Sequence, residues 1–163
     1  MELHTCVLIQ LLLLCLLSKN MLPILLIGDE YPAALVRLID GANLEIKIVM
    51  FDWRIYFTDI SSGTSLITRS LIAAVKRGVS VEVLTNHLST VSALNKNGIK
   101  AKKWTRKNLL HAKVVVIDDK IAVVGSHNFT QNGMHHNIEI SAVIHDSDFA
   151  RKFSEYFKKL CPL

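Results

Sequence analysis

The stretch that most constrains this chain runs from His111 to Ile140, HAKVVVIDDKIAVVGSHNFTQNGMHHNIEI. Two apolar runs, Val114 to Ile117 and Ile121 to Val124, flank Asp118, Asp119 and Lys120. β-branched residues on both sides of a short polar triplet predict a tight β-hairpin. Residues two apart in a strand share a face, so His111 and Lys113 are expected to project side by side. The second strand runs out into Gly125-Ser126-His127-Asn128, where small polar donors can gather. A third run, Asn137 to Ile144, alternates again and sets Glu139 on one face.

Gathered at strand ends, these side chains suit a phosphate. Lysine supplies charge, while Ser and Asn supply neutral donors to non-bridging oxygens. Histidine serves as nucleophile or acid–base near neutral pH. A carboxylate such as Glu139, on the far imidazole nitrogen, would fix the tautomer and raise basicity. The order His-x-Lys, four residues, Asp, six residues, Gly-Ser resembles the HKD motif of the phospholipase D superfamily. The match covers His111, Lys113, Asp118, Gly125, Ser126 and Asn128, with Asn137-x-Glu139 following.

That resemblance implies a phosphodiesterase that works through a phosphohistidine and needs no metal or other cofactor. Two such motifs form one site in the superfamily, and this sequence holds one. It is therefore similar to single-motif members, the small bacterial endonucleases and mitochondrial-type phospholipase D proteins, in which two chains pair symmetrically. The implied roles are nucleophile and acid–base for His111 and oxygen clamps for Lys113 and Asn128, with Ser126 assisting. Asp118 is expected to support the site's geometry from a hairpin turn, since Asp is also ordinary turn chemistry.

Substrate class is left among three readings. Lys100, Lys102, Lys103, Arg106 and Lys107, with Trp104 among them, lead directly into His111. Basic residues interleaved with an aromatic suit a nucleic-acid backbone, although lysines also protect an ordinary edge strand. An endonuclease comes first on this ground, with Lys102, Lys103, Trp104, Arg106 and Lys107 binding substrate. Hydrolysis of a phospholipid, cardiolipin or phosphatidylcholine, is the second reading. A non-catalytic nucleic-acid-binding module is the third. His127, His135 and His136 lack the spacing of a metal site, and His127 is expected to line the cleft. Phe51-Asp52-Trp53-Arg54 could border the pocket or a subunit interface, or equally be core plus a salt bridge.

Composition enters at the N-terminus. Residues Leu3 to Leu17 are apolar apart from His4, Thr5 and Gln10, and Met21 to Ile27 is apolar again. Fifteen residues fall short of the roughly 20 a spanning helix needs. Residues 1–20 therefore read as a membrane anchor, an atypical signal, or an extension ahead of a start at Met21. Membrane association through residues 3–27, with the domain cytosolic, is the favoured expectation, and secretion or a periplasmic location after signal cleavage the alternative. The three cysteines form no zinc or disulfide pattern. A formal charge of +5 favours anionic partners.

Residues 21–163 are long enough for one domain. Pro23 to Ile27 reads as a short buried strand, Tyr31 to Ile39 as a helix, and Leu44 to Phe51 as a central strand. A helix from Ser65 to Arg77 closes at Gly78. Val79 to Leu84 is the next strand, Thr90 to Asn97 a helix, and Ile99 to Trp104 an edge strand. The hairpin, a further strand and a helix from Ser147 to Leu160 complete the chain. Helices between short apolar strands call for an α/β fold, a mixed sheet flanked by helices on both faces.

Overall fold

The computed structural model describes residues 22–56 and 59–161. The apolar leader lies outside them. Seven strands form one mixed sheet: β1 (Ile24–Ile27), β2 (Glu45–Met50), β3 (Ser80–Thr85), β4 (Lys100–Lys103), β5 (Lys113–Ile117), β6 (Ile121–Gly125) and β7 (Ile140–Ile144). Their spatial order is β1-β7-β6-β5-β2-β3-β4. β2, β3 and β4 run parallel, and every other neighbouring pair is antiparallel.

The parallel strands need crossovers, which α2 (Gly63–Lys76) and α3 (Leu88–Asn95) supply. With α1 (Glu30–Asp40), they cover one face of the sheet. Leu35, Ile39, Ile67, Leu71 and Leu94 pack there on Ile46, Ile48, Val83, Val115 and Val123. Among the described residues the other face carries one helix, α4 (Ser147–Leu160), which lies over β2, β5 and β6. Phe157 and Ala150 cover Val49, Val116 and Ala122 there. Lys47 is buried on this side and paired with Glu45 and, at 3.4 Å, with Asp119.

Sequence signals account for most element ends. Ser62 caps α2 by accepting from Ser65 N, and Asp146 caps α4 by accepting from Asp148 N and Phe149 N. Asp118 and Asp119 have φ of 54° and 51°, and Lys120 N donates to Ile117 O. That is the pattern of a type I′ turn, which Asp tolerates better than most residues.

Two expectations about strands are corrected. β1 is an edge strand with only Leu26 buried, because α1 and its neighbours cover one of its faces and nothing among the described residues covers the other. β7 begins at Ile140 and not at Asn137, so Glu139 sits just ahead of it. The residues before it are diverted by a single π-helical turn, Asn132–His136.

Candidate active site

His111, Lys113, Gly125, Ser126 and Asn128 meet at one end of the sheet. Antiparallel pairing of β2 with β5 sets Met50 opposite Lys113, and Phe51 N donates to Ala112 O at 3.0 Å just beyond. His111 therefore precedes the strand proper but is still held to it. Past this point the extensions of β2 and β6 bond directly to each other. Phe129 N donates to Asp52 O, and Arg54 N to Phe129 O. Asn128 thus lies beside Asp52, whose N–H donates to Asn128 Oδ1 at 3.3 Å. The Asn128 Nδ2 donor has no protein partner among the described residues.

His111 and Lys113 do project together. Lys113 Nζ lies 3.4 Å from both ring nitrogens of His111 and donates to His111 O at 2.9 Å. The Phe51 ring backs both groups. Its centroid is 4.5 Å from that of His111 and 5.0 Å from Lys113 Nζ. Burial lowers the Lys113 pKa, opposed by the negative charge of Glu139. A cation partly stripped of water and not consumed by a direct ion pair is ready for a phosphate oxygen. His111 is exposed, so a substrate can reach it.

Other motif residues hold the frame. Asp118 is at the far end of β5 from His111. Its carboxylate accepts from Asn43 N, Leu44 N and Glu45 N at 2.9, 2.8 and 3.0 Å. Burial works against its charge, yet these donors outweigh it and lower its pKa. Asp118 thus ties the hairpin to the start of β2 and supports the site from a distance. Ser126 Oγ donates to Ile140 O and accepts from Ile140 N, so its hydroxyl locks β6 to β7 and is not a free donor. Gly125 is required in this junction: a Cβ there would lie 2.1 Å from Ser141 Oγ and 2.4 Å from Ser141 Cα. Gly133 in the π turn likewise lets the chain pass against Asn128 O, 2.5 Å from where a Cβ would be.

Three sequence expectations fail at this end of the sheet. Glu139 is not hydrogen-bonded to His111; it is buried and accepts from Asn137 Nδ2 at 3.0 Å, acting on Lys113 through charge. His127 does not line the cleft. Its ring is fully buried, stacked on Tyr31 at 4.1 Å, with Ser141 Oγ at 2.8 Å from Nδ1 and Gly28 O at 3.2 Å from Nε2. A carbonyl only accepts, so Nε2 carries the proton and Nδ1 accepts from Ser141. Trp104 is not a stacking platform either. It is buried with Leu84, Leu110 and Phe157, and its Nε1 donates to Asn108 O.

The rest of the basic cluster remains outside. Lys103, Arg106 and Lys107 are exposed, with the Arg106 guanidinium over the Trp104 ring and donating to Lys159 O. Lys102 is exposed on the same strand. β4 ends at the same edge as His111, three strand spacings from β5, about 14 Å. Asn86 and His87, with no role expected from sequence, complete the edge together with Asp52. Asn86 Nδ2 donates to Phe51 O and Leu110 O, pinning the loop that delivers His111. Asp52 Oδ1 takes both Arg54 Nε and His87 Nε2 at 2.8 Å. The Phe51–Arg54 segment is thus site border, core and salt bridge at once, for Trp53 is fully buried.

Comparison with known proteins places this arrangement. The family described as "Cardiolipin synthase, PLD-like domain" matches residues 35–161. Human mitochondrial cardiolipin hydrolase is 28% identical over 139 residues, 82% of this chain and 52% of that protein. A phospholipase D from Rickettsia bellii is 32% identical over 105 residues, 61% of this chain and 52% of that protein. The chain spans about half the length of these curated relatives. Among solved structures, a phospholipase D family member, Nuc from Salmonella typhimurium, superposes with a TM-score of 0.71 at 22% identity. That match covers 85% of this chain and 94% of Nuc, and it establishes the fold.

Proposed function

The chain belongs to the phospholipase D superfamily through its PLD-like domain, and on that premise we propose that it is a metal-independent phosphodiesterase acting through a phosphohistidine. The observation that carries this reading is the exposed His111 ring with Lys113 Nζ 3.4 Å from it, backed by Phe51. A ring nitrogen of His111 attacks phosphorus, forming a P–N bond as the P–O bond to the leaving group breaks. The leaving oxygen takes a proton from a second, protonated imidazole. Water then attacks phosphorus, giving its proton to that second imidazole, and the P–N bond breaks to restore His111. Lys113 and Asn128 hold the non-bridging oxygens throughout.

The second imidazole is His111 of another copy. Within one chain the remaining described histidines are committed elsewhere or lie away from this end. His127 is buried, His135 is paired with Asp29, and His87 with Asp52. A two-fold axis through the sheet ends supplies the missing group and makes the active unit a homodimer with one shared site.

Nucleic acid is the substrate class we favour. The about 14 Å from β5 to β4 corresponds to about four nucleotide steps at 3.4 Å each, so a strand held at His111 reaches Lys103, Arg106 and Lys107. Phospholipid is the second reading, favoured by Ile27, Ile138 and Ile140, half to fully exposed beside the site. The test is cleavage of single-stranded DNA, RNA and cardiolipin vesicles in EDTA, with protein quenched in alkaline denaturant, where a P–N bond survives, and assayed for covalent phosphate. Turnover of one substrate class, with label lost in His111→Ala, supports the mechanism. Loss of activity in EDTA that Mg²⁺ or Zn²⁺ restores refutes it. Changing Lys103, Arg106 and Lys107 together to Ala should weaken polymer cleavage and flatten its salt dependence while sparing a small diester.

A further inference from the structure

The two flanks of the sheet are built differently. β4 ends one flank and presents Lys100, Lys102 and Lys103 to solvent, the usual protection of an edge. β1 ends the other flank and presents Ile24, Leu25 and Ile27, each about half exposed. Leu26 faces the three-helix layer, so Leu25 and Ile27 face the opposite way, toward the side of α4. The same side of β7 carries Ile140, paired with Ile27, and Ala142, paired with Leu25. The main contacts of α4 fall on β2, β5 and β6, and Leu25, Ile27 and Ile140 stay about half exposed. Leu22 at the entrance to β1 is 84% exposed, and Ile138 at the site end is 96% exposed. A sheet face of large aliphatic side chains is ordinarily covered, and one left open on this scale marks a docking surface.

We propose that the open apolar face of β1 and β7 docks on the surface of a lipid bilayer. The sequence just ahead of it identifies the occupant. Leu3 to Leu17 is almost wholly apolar, and only Ser18 to Met21 separate it from Leu22. Four residues span at most about 14 Å. If that run partitions into a bilayer, Leu22 and β1 are held within this distance of the lipid. A bilayer asks for no shape complementarity and tolerates a flat, open aliphatic face, which sinks about 5–10 Å into the headgroup boundary. A second copy fits less well, because the two-fold axis of the proposed dimer engages the strand ends and not this side of the sheet. Docking sets Ile27, Ile138 and Ile140, and with them the cleft, at the level of the headgroups. The proposal holds whichever diester is cleaved.

The test uses the full chain with vesicles of phosphatidylcholine carrying dibrominated acyl chains. The two native tryptophans, Trp53 and Trp104, are buried and give a constant background. Leu25→Trp, and independently Ile140→Trp, each add a fluorophore on the face. Leu88→Trp, exposed at the same sheet end on the β3 flank, is the control. The expected result is a blue shift and quenching severalfold greater at positions 25 and 140 than at 88, on adding vesicles. Equal quenching at all three positions, or no association with vesicles, overturns the proposal. So does a blue shift without vesicles. If that shift depends on protein concentration, a second copy covers the face, and if it does not, the leader does. Native background emission confirms that each variant is folded.

Discussion

Replacing His127 with Phe tests whether this residue, set between the motif's Ser126 and Asn128, serves the fold and not the chemistry. Phe keeps the ring and its stack on Tyr31, 4.1 Å away and within 6° of parallel, and loses only the two hydrogen bonds. Gly28 O still accepts from Tyr31 N at 3.1 Å, so it is not orphaned, while buried Ser141 Oγ loses its acceptor. At about 1 kcal/mol per lost bond, His127→Phe should cost about 2 kcal/mol at pH 7.5. The cost should shrink in acid. Burial lowers the His127 pKa from 6.5, more than the bond to Gly28 O and the charge of Glu139 raise it. Below pH 6.5 the unfolded chain therefore binds a proton that the folded chain resists. The stability this neutral ring contributes is present above that pH and is lost as pH falls, by at most about 1.4 kcal/mol per pH unit. Urea unfolding at pH 7.5 and 5.5 measures both effects. The lowered carboxylates, Asp59, Asp118 and Asp119, act nearer their ordinary value of 3.8 and leave this window clear. An identical pH dependence in wild type and His127→Phe would refute the assignment.

Gly125→Ala should destabilise by about 3 kcal/mol or more, since backbone of Ser141 and Ile140 lies within 2.5 Å of the new Cβ, and the displaced β6–β7 junction should lower turnover in the surviving fold. Asp118→Ala removes the acceptor of three backbone N–H groups and should cost about 2 kcal/mol in urea unfolding, with turnover per folded molecule unchanged. Because the folded pKa of Asp118 is lowered, its contribution is present above about pH 4 and lost as acid titrates it; a turnover defect at full folding would contradict a purely structural role for this carboxylate.

The reach of the sequence differs between the fold and the site. Strand and helix positions were legible because period-two and period-3.6 patterns report backbone geometry directly; α4 runs from Ser147 to Leu160, the range read from the sequence. Coverage was not legible. The apolar Ile24–Ile27 run looks the same whether it is buried or on an open edge, and what packs on its two faces decides. Trp104 among lysines reads as exposed, yet the chain turns at the end of β4 and tucks it under Phe157. His127 carried a usable signal: it is two residues from Phe129, and both rings face inward. Glu139 could not be placed because the π turn before it shifts the start of β7, and such a turn leaves no mark in hydrophobic period.

The proposed shared site can be tested by mixing wild-type and variant chains. If each active unit needs His111 from two copies, a chain carrying His111→Ala poisons the wild-type chain with which it pairs. Let wild-type chains be a fraction of the total, mixed by co-refolding so that pairing is random. Active dimers then scale as the square of that fraction, whereas a site complete in one chain scales linearly. At equal amounts the shared site predicts about a quarter of the activity of the same total of wild type, and the self-contained site about half. His111 is exposed, with its ring beside Phe51 and Lys113, so Ala there should not disturb folding or pairing. The variant is therefore a clean poison. Size measurement on the mixture must show a single dimer population, so that failure to exchange is not mistaken for linearity. A linear dependence in exchanged dimers would mean that a second proton donor lies within the same chain. A described imidazole on this edge is His87, held by Asp52 at 2.8 Å, and His87→Ala would then be the variant that removes turnover.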